Sequence, residues 1–389
     1  MSGGHAERSH ALLSASSAAR WLACPPSARL CEQFPDTRSE YAAEGTLAHE
    51  LAELKLRKAL IDPMGPRKFS KALKELQANT LYQPEMDKHT DTYVDYVLGI
   101  VHAYSSPPYV AVEKRLDYSA YAPEGYGTGD CIIIGGDTLH IIDLKYGKGV
   151  PVSAEGNAQM RLYALGAVTE YGFLYPIRQV HMVIVQPRLD SISEDTVPLD
   201  ELLAWGESIK PIAEQAYKGE GEFSPGDHCR FCRAKAVCRA RADAQTALEA
   251  FNGLRPPIIS DEEVGQLLER GRNLAAWLKD LEEYALNRCL EGAEIPGWKA
   301  VEGRSSRQYV DQDAAFKALI DAGIDEAVLY ERRPLSVAQI EKVLGKAEYR
   351  RLLEEPGHVK AEPGKPTLVP ASDKREAITN RITAAEAFS

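Results

Sequence analysis

The spacing of apolar side chains predicts helices at both ends of the chain and a block of strands between them. Leu47, Leu51 and Leu54 recur at helical spacing, and Val264, Leu267 and Leu268 do so again much later. The predicted helices cover residues 11–60, with a break at residues 24–26 and a new start near Gly45, then residues 86–104, 157–169 and 260–290.

Apolar runs rich in β-branched residues predict four strands, at residues 109–116, 129–134, 138–146 and 180–186. Gly135, Gly136 and Asp137 predict a tight hairpin turn between the second strand and the third. A predicted helix separates the third strand from the fourth, so we expect a helical crossover there. The fold class is therefore α/β, with a small mixed sheet flanked by helices.

The length of 389 residues allows one large core or two to three modules. We expect a main domain over residues 1–245 and a helical region over residues 246–355. Residues 356–389 include Pro363, Pro366 and Pro370, and we expect much of this tail to be disordered.

The composition has no apolar stretch of membrane-span length and no signal-peptide core at the N-terminus, so we expect a cytoplasmic protein with no membrane partner. The net charge of -11 argues against a protein that coats nucleic acid, but it is compatible with a nuclease whose ligands are acidic. Residues 55–74 hold seven cations against Asp62 alone. This segment is either a local DNA-attracting surface or a solvated helix face.

Two carboxylates and a lysine are the first candidates for chemistry. Asp143 and Lys145 are two residues apart in a predicted strand and so point to one side, and the hairpin register brings Asp130 close to Asp143. Like charges about 4 Å apart repel by about 4 kcal/mol at an effective dielectric near 20, and a divalent cation relieves that repulsion. An exposed Asp/Lys pair on an ordinary hairpin is the alternative.

An ordered series of motifs surrounds this pair and resembles the RecB-like branch of the PD-(D/E)XK nucleases. The series comprises Gly45-x3-His49, Glu113, Gly127-Thr-Gly-Asp130, Asp143-Leu144-Lys145 and Gln159-x3-Tyr163. The resemblance implies a PD-(D/E)XK core in which Mg²⁺ or Mn²⁺ is held by His49, Asp130, Asp143 and the Leu144 carbonyl.

The same resemblance assigns the remaining roles. Lys145 would activate water, Gln159 and Tyr163 would contact DNA or order the site, and Glu113 would be a supporting carboxylate. By their local sequence alone, His49 could instead be a core histidine, and Glu113 an exposed strand residue.

The seven cysteines are an odd number, and their spacing favours a metal centre over disulfides. Cys229-x2-Cys232-x5-Cys238 suits zinc or an iron-sulfur cluster, and spacing alone leaves the fourth ligand open. The run is similar to those of the CRISPR adaptation exonucleases and the AddB nuclease domain. That resemblance adds Cys24 and implies a [4Fe-4S] cluster; a structural zinc, with Cys31 or His228 as a substitute ligand, is the alternative.

The whole chain, including residues 303–309 and 364–375, resembles a family of uncharacterised phage and prophage proteins with this nuclease core. We therefore expect a metal-dependent DNA exonuclease in the cytoplasm of a bacterial or phage-infected cell. It would act on single strands or duplex ends in recombination, replication or end processing, with proteins of those pathways as partners. A catalytically inert DNA-binding or assembly subunit and a zinc-stabilised interaction protein are the alternatives, and a homo-oligomer is left open.

Overall fold

The computed structural model describes residues 11–35, 40–246, 260–302, 309–330 and 334–360, and the single positions Thr367, Val369, Asp373 and Arg375. Most of the predicted disordered tail, and residues 303–308 of the family motif, lie outside the described residues. The chain divides into two compact units, Met1–Val301 and Glu302–Ser389.

The first unit contains a five-stranded mixed sheet between helices, as the α/β prediction requires. Its strands are β1 (Tyr109–Asp117), β2 (Tyr126–Gly135), β3 (Thr138–Leu144), β4 (Gln179–Gln186) and β5 (Ser191–Pro198). Its helices are α1 (Ala18–Ala23), α2 (Ser27–Glu32), α3 (Glu40–Leu56), α4 (Pro66–Gln77), α5 (Pro84–Ala103), α6 (Ala158–Tyr171), α7 (Leu199–Lys218), α8 (Arg239–Thr246) and α9 (Asp261–Leu290).

The strands lie in the order β1-β2-β3-β4-β5. All neighbours are antiparallel except β3 and β4, which are parallel, so the predicted helical crossover through α6 is confirmed. Gly136, with φ of 59°, makes the tight turn between β2 and β3, a conformation that glycine adopts without steric cost. β5 was not predicted, because it is an edge strand with mostly polar residues.

The two faces of the sheet are covered by different helices. One face packs against α6 and α7 through a core that includes Leu139, Ile141 and Ile184. The other packs against α3 and α5 through a core that includes Ile142, Leu144 and Val183. Consecutive strand residues point to opposite faces of the sheet, and helices cover both faces. The central strands therefore carry apolar side chains at successive positions, as Ile141 and Ile142 of β3 show.

Helices α8 and α9 complete the first unit. Trp277 of α9 donates a hydrogen bond to the Ala236 carbonyl, and Asp280 of α9 pairs with Arg241 and Lys235. The long helix predicted at residues 260–290 therefore packs on the cysteine-rich segment, and the compact units divide after Val301 and not at residue 245.

The second unit contains α10 (Gln312–Asp321), α11 (Val337–Leu344) and α12 (Lys346–Tyr349). The Phe316 ring packs edge-on against the rings of Tyr309 and Tyr330. No helix in the described part of the chain combines the length and apolar character needed to cross a membrane.

Candidate active site

Asp130, Asp143 and Lys145 lie together at the end of the β2–β3 hairpin that is opposite its tight turn. Cys131 pairs with Ile142, and continuing this register by one residue places Asp130 opposite Asp143. β3 ends at Leu144, earlier than predicted, but the Lys145 N–H donates to the Val185 carbonyl and keeps the chain extended. Lys145 Nζ therefore lies 2.8 Å from Oδ2 of the buried Asp143.

Helix α6 places Gln159 between these two charges. The Asn157 side chain caps the helix by accepting hydrogen bonds from the N–H groups of Gln159 and Met160, which fixes where its first turn begins. Gln159 Oε1 accepts from Lys145 Nζ at 3.1 Å, and its Nε2 donates to Asp143 Oδ1 at 3.0 Å. One amide thus restrains both side chains.

Tyr163 lies one turn further along α6 on the same side. Its hydroxyl is 3.4 Å from Gln159 Nε2, and its ring lies against β2 at Gly127. A Cβ at Gly127 would come within 2.7 Å of the Tyr163 ring, so only glycine leaves room for it there. The Gly127 of the sequence motif therefore serves the packing of Tyr163.

Helix α3 brings His49 to the same place from the opposite face of the sheet. His49 Nδ1 lies 3.3 Å from Asp130 Oδ2, and the same oxygen accepts a 2.7 Å hydrogen bond from the Leu144 N–H. His49, Asp130 and Leu144 line one small pocket.

Glu113 completes this pocket through an unusual backbone conformation. Its φ of 50° is in the left-handed region, which a glutamate seldom adopts, and it interrupts the pairing of β1 and β2 between Val112 and Lys114. The ligand atoms of Glu113, His49 and Asp130 all lie within 4.8 Å of one another. These three residues could hold a metal ion, and we call them the metal-site group.

The charges in this region shift one another's pKa values. Burial, reinforced by Asp130, raises the pKa of Glu113 to about 7. Burial disfavours the charged form of His49, but the attraction of Asp130 outweighs it and raises the His49 pKa to about 9. Burial opposes the charge on Lys145 in the same way, and the attraction of Asp143 and Asp130 keeps its pKa above the usual value.

The two carboxylates that face each other respond in opposite directions. Burial raises the pKa of Asp143, although Lys145 opposes this. Burial also disfavours ionisation of Asp130, yet His49, Lys145 and the Leu144 N–H together hold its pKa below the usual value. Burial therefore favours the neutral form of Asp143, whereas its cationic and hydrogen-bonding neighbours keep Asp130 in the charged form.

The geometry divides the predicted site residues into two neighbouring sets. His49, Glu113 and Asp130 meet in the metal-site group, whereas the Asp143 carboxylate faces Lys145 and Gln159. Glu53 also lines the pocket and was not predicted. Its position four residues after His49, on the same helix face, was the available signal.

The four predicted cluster cysteines line a second cavity. Cys24 ends α1, and Cys229, Cys232 and Cys238 come from the segment before α8; Arg20, Lys235 and Arg241 also line this cavity. Thiolate sulfurs are the ligands that zinc and iron-sulfur clusters take in proteins. Residues about two hundred positions apart in sequence are thus brought together.

Cys31, the alternative ligand, lies beside this cavity, with its Sγ 3.6 Å from Cys232 Sγ. His228 lines the cavity, and its imidazole Nε2 lies 2.8 Å from the Ser224 carbonyl. Among the described residues, no three cysteine sulfurs lie within 4.8 Å of one another.

A family model described as "Protein of unknown function (DUF2800)" matches residues 10–376. Among solved structures, one titled "Crystal structure of SSO0001" is similar over 50% of this chain and 84% of that chain, with 14% sequence identity and a TM-score of 0.23. Similarity at this TM-score does not establish a shared fold.

Proposed function

We propose that this chain, which belongs to the DUF2800 family, is a metal-dependent DNA exonuclease with a PD-(D/E)XK nuclease core. The observation that carries the proposal is the contact between two sets of residues. A group able to bind a divalent metal, built from His49, Glu113 and Asp130, adjoins an Asp143–Lys145 pair held by Gln159.

The residues present fit a divalent cation. Three ligand atoms converge within 4.8 Å. Asp143 Oδ2 is buried 2.8 Å from the Lys145 ammonium and has no well-aligned hydrogen-bond partner among the described residues. Mg²⁺ prefers oxygen ligands in strict octahedral geometry. A site that includes the His49 imidazole departs from that preference, so we expect Mn²⁺ to support activity better than Mg²⁺.

The bound metal would polarise the scissile phosphate and lower the pKa of a coordinated water. The chain's own residues supply the rest. Lys145 keeps its proton because Asp143 and Asp130 raise its pKa, so its ammonium is suited to stabilising the charge that develops on the phosphate. Gln159 holds that ammonium in place, and Asp130 is oriented by the Leu144 N–H.

We also propose a [4Fe-4S] cluster bound by Cys24, Cys229, Cys232 and Cys238. All four line one cavity with cationic walls. A tetrahedral zinc ion, with Zn–S bonds of about 2.3 Å, would hold sulfurs less than about 4 Å apart. The sulfurs of Cys31 and Cys232, 3.6 Å apart, have that spacing, so a structural zinc is the second candidate for this region.

A digestion assay tests the nuclease proposal. End-labelled single-stranded, linear duplex and circular DNA are incubated with the full chain and Mn²⁺, Mg²⁺ or no metal. We expect metal-dependent loss of linear DNA and survival of circles. Asp143→Asn and Lys145→Met should each lower the rate by about 10³-fold, because each removes a charge that acts on the reacting phosphate.

Lys148→Met is the matched control, because Lys148 is exposed in the loop three residues after Lys145. It should digest DNA at the parental rate. Equal activity of the Lys145 and Lys148 variants would refute the assigned site. Cleavage of circular DNA would indicate an endonuclease, and DNA binding without any digestion would indicate an inert subunit.

A further inference from the structure

The solvent-facing side of α4 carries a row of cations. Arg67, Lys71 and Lys74 are spaced by four and three residues, so they share one face of the helix, and all three are exposed. Lys58 Nζ lies 3.9 Å above the centre of the Phe69 ring, which holds it beside the first turn of α4. The α4 cationic face comprises Lys58, Arg67, Lys68, Lys71 and Lys74.

Little of this charge is neutralised. Lys68 Nζ is 3.9 Å from Asp62 and Lys71 Nζ is 3.8 Å from Glu75, and the side chains of both lysines are more than 70% exposed. Such surface pairs contribute little. The rest of the α4 cationic face forms no ion pair with any residue that the structure describes. Like charges at helical spacing repel one another, and a bound polyanion would relieve that repulsion.

Two neighbouring cations, Lys55 and Arg57, instead form close contacts within the protein. Lys55 Nζ lies 2.6 Å from Asp91 and donates to the Asp87 carbonyl at 2.9 Å, and Arg57 Nε lies 2.6 Å from Glu53. These side chains tie α3 to α5 or stabilise α3 itself. Within the part of the chain that the structure describes, the α4 cationic face has no ion-pair partners as close as these, although the whole chain carries a net charge of -11.

The other side of α4 packs next to the candidate active site. Leu73 and Leu76 contact a cluster that includes Ala48 of α3 and Tyr146. Ala48 precedes His49 in sequence, and Tyr146 follows Lys145. The buried face of α4 is therefore anchored on residues that adjoin His49 and Lys145, which places this helix beside the candidate site with its cationic face turned to solvent.

We infer that the α4 cationic face binds the sugar–phosphate backbone of the DNA strand that enters the active site. This inference rests on the proposed nuclease function and adds where the substrate is held. Ionic contacts to phosphates are independent of sequence, so this face would supply affinity and leave base selection to other parts of the protein. A local cationic surface of this kind would also let a chain with a net negative charge attract the polyanionic DNA.

DNA binding tests the inference separately from cleavage. The full chain carrying Asp143→Asn, with Mn²⁺ present, is titrated into labelled single-stranded and duplex oligonucleotides, and fluorescence anisotropy is measured between about 50 and 200 mM salt. Lys71→Gln with Lys74→Gln should weaken binding by about ten-fold at the lower salt concentration. The slope of log Kd against log salt should fall by about 1.4 for single strands and about 1.8 for duplex, since two phosphate contacts are lost.

Lys210→Gln with Lys218→Gln is the matched control. It also removes two lysines, the half-buried Lys210 and the exposed Lys218, but from α7, whose apolar side packs on the opposite face of the sheet from α3. The control should bind as the parent does, and Lys71→Arg with Lys74→Arg should restore binding, because the charge returns.

Unchanged affinity and salt slope in the glutamine variant would overturn the inference, leaving an acidic protein as the partner to be tested for this face. If the unsubstituted chain digests DNA and the glutamine variant binds normally, only the inference fails. If the chain binds DNA through α4 and never digests it, the inference stands and the proposed nuclease activity fails.

Discussion

The Leu144 N–H donates a 2.7 Å hydrogen bond to the Asp130 carboxylate, at the point where β2 and β3 stop pairing through their backbones. A side chain thus takes the place of the next backbone partner. The bond orients Asp130 toward His49, whose Nδ1 is 3.3 Å away. The open end of the hairpin therefore positions the Asp130 carboxylate. The protonated His49 ring and a metal ion would compete to bind it.

That competition makes the charge of His49 depend on Asp130. In metal-free protein we expect His49 to titrate near pH 9, and Asp130→Asn should move its pKa toward the usual value, because the main attraction for the imidazolium is lost. Since the folded pKa is raised, the stabilisation from this pair is complete below about pH 6.5 and disappears as pH rises through 9. Proton NMR of the His49 ring across pH measures both effects, and a His49 pKa unaffected by Asp130→Asn would contradict them.

Glu113 is held in a strained conformation next to another carboxylate. Glu113→Gly should stabilise the metal-free protein by about 1 kcal/mol, because glycine adopts positive φ without strain and the repulsion from Asp130 disappears. The same change should lower nuclease activity, since one metal-site residue is lost. Urea unfolding measures the first effect, and digestion of linear DNA measures the second.

Glu113→Ala is the control for this experiment. It removes the same charge but keeps a Cβ at positive φ, so the stability difference between the two variants isolates the backbone strain. An alanine variant as stable as the glycine variant would show that no strain is stored there.

If the four cysteines of the cavity bind the proposed iron-sulfur cluster, the purified protein will be coloured. Anaerobically purified chain should show the broad visible absorption of an iron-sulfur cluster. Cys24→Ala should abolish it and lower the melting temperature, because the proposed cluster would link α1 to the segment before α8 through Cys24. Cys289→Ala, at the end of α9, should leave both unchanged. Metal analysis that finds zinc and no iron in the parent would reject the cluster.

A polar chain of side chains on the α5 face of the sheet predicts acid sensitivity. Burial, with the neighbouring His181, lowers the pKa of His140 to about 4, while its ring nitrogens bond the Tyr104 hydroxyl and His181. In the unfolded chain His140 binds a proton near pH 6.5, whereas in the folded chain it does not. The free energy of unfolding therefore decreases as the pH is lowered below 6.5. The loss between pH 6.5 and 4 should be about 3 kcal/mol from this group.

His140→Phe should flatten that part of the curve of unfolding free energy against pH, whereas His102→Phe, at an exposed position on α5, should not. Urea unfolding at a series of pH values provides the comparison. An identical pH dependence in the parent and in His140→Phe would exclude His140 as its source.

The spacing of apolar residues predicted most of the strands and several of the helices, because this spacing follows from the geometry of each element. Alternation and β-branched runs located β1 to β4, and helical periodicity located α5, α6 and α9 within a few residues. β5 was missed, since Ser191–Pro198 is an edge strand whose polar residues are stabilised by pairing with β4. α3 begins at Glu40, earlier than the predicted start near Gly45, because the first apolar repeat marks where packing starts and not where the helix begins.

For the candidate site, the sequence by itself determined the neighbours that strand alternation and hairpin pairing bring together: Asp130 opposite Asp143 or one diagonal step away, and Lys145 on the same side as Asp143. Only the tertiary structure decided that Glu113 turns at positive φ to join His49 and Asp130, and that Cys24, which only the family resemblance had grouped with Cys229, shares a cavity with it. Alternation and turn geometry act over a few residues, so they can be read locally. Contacts between α3 and β1, or between α1 and the cysteine segment, depend on how helices pack on the two faces of the sheet, and no local pattern encodes that.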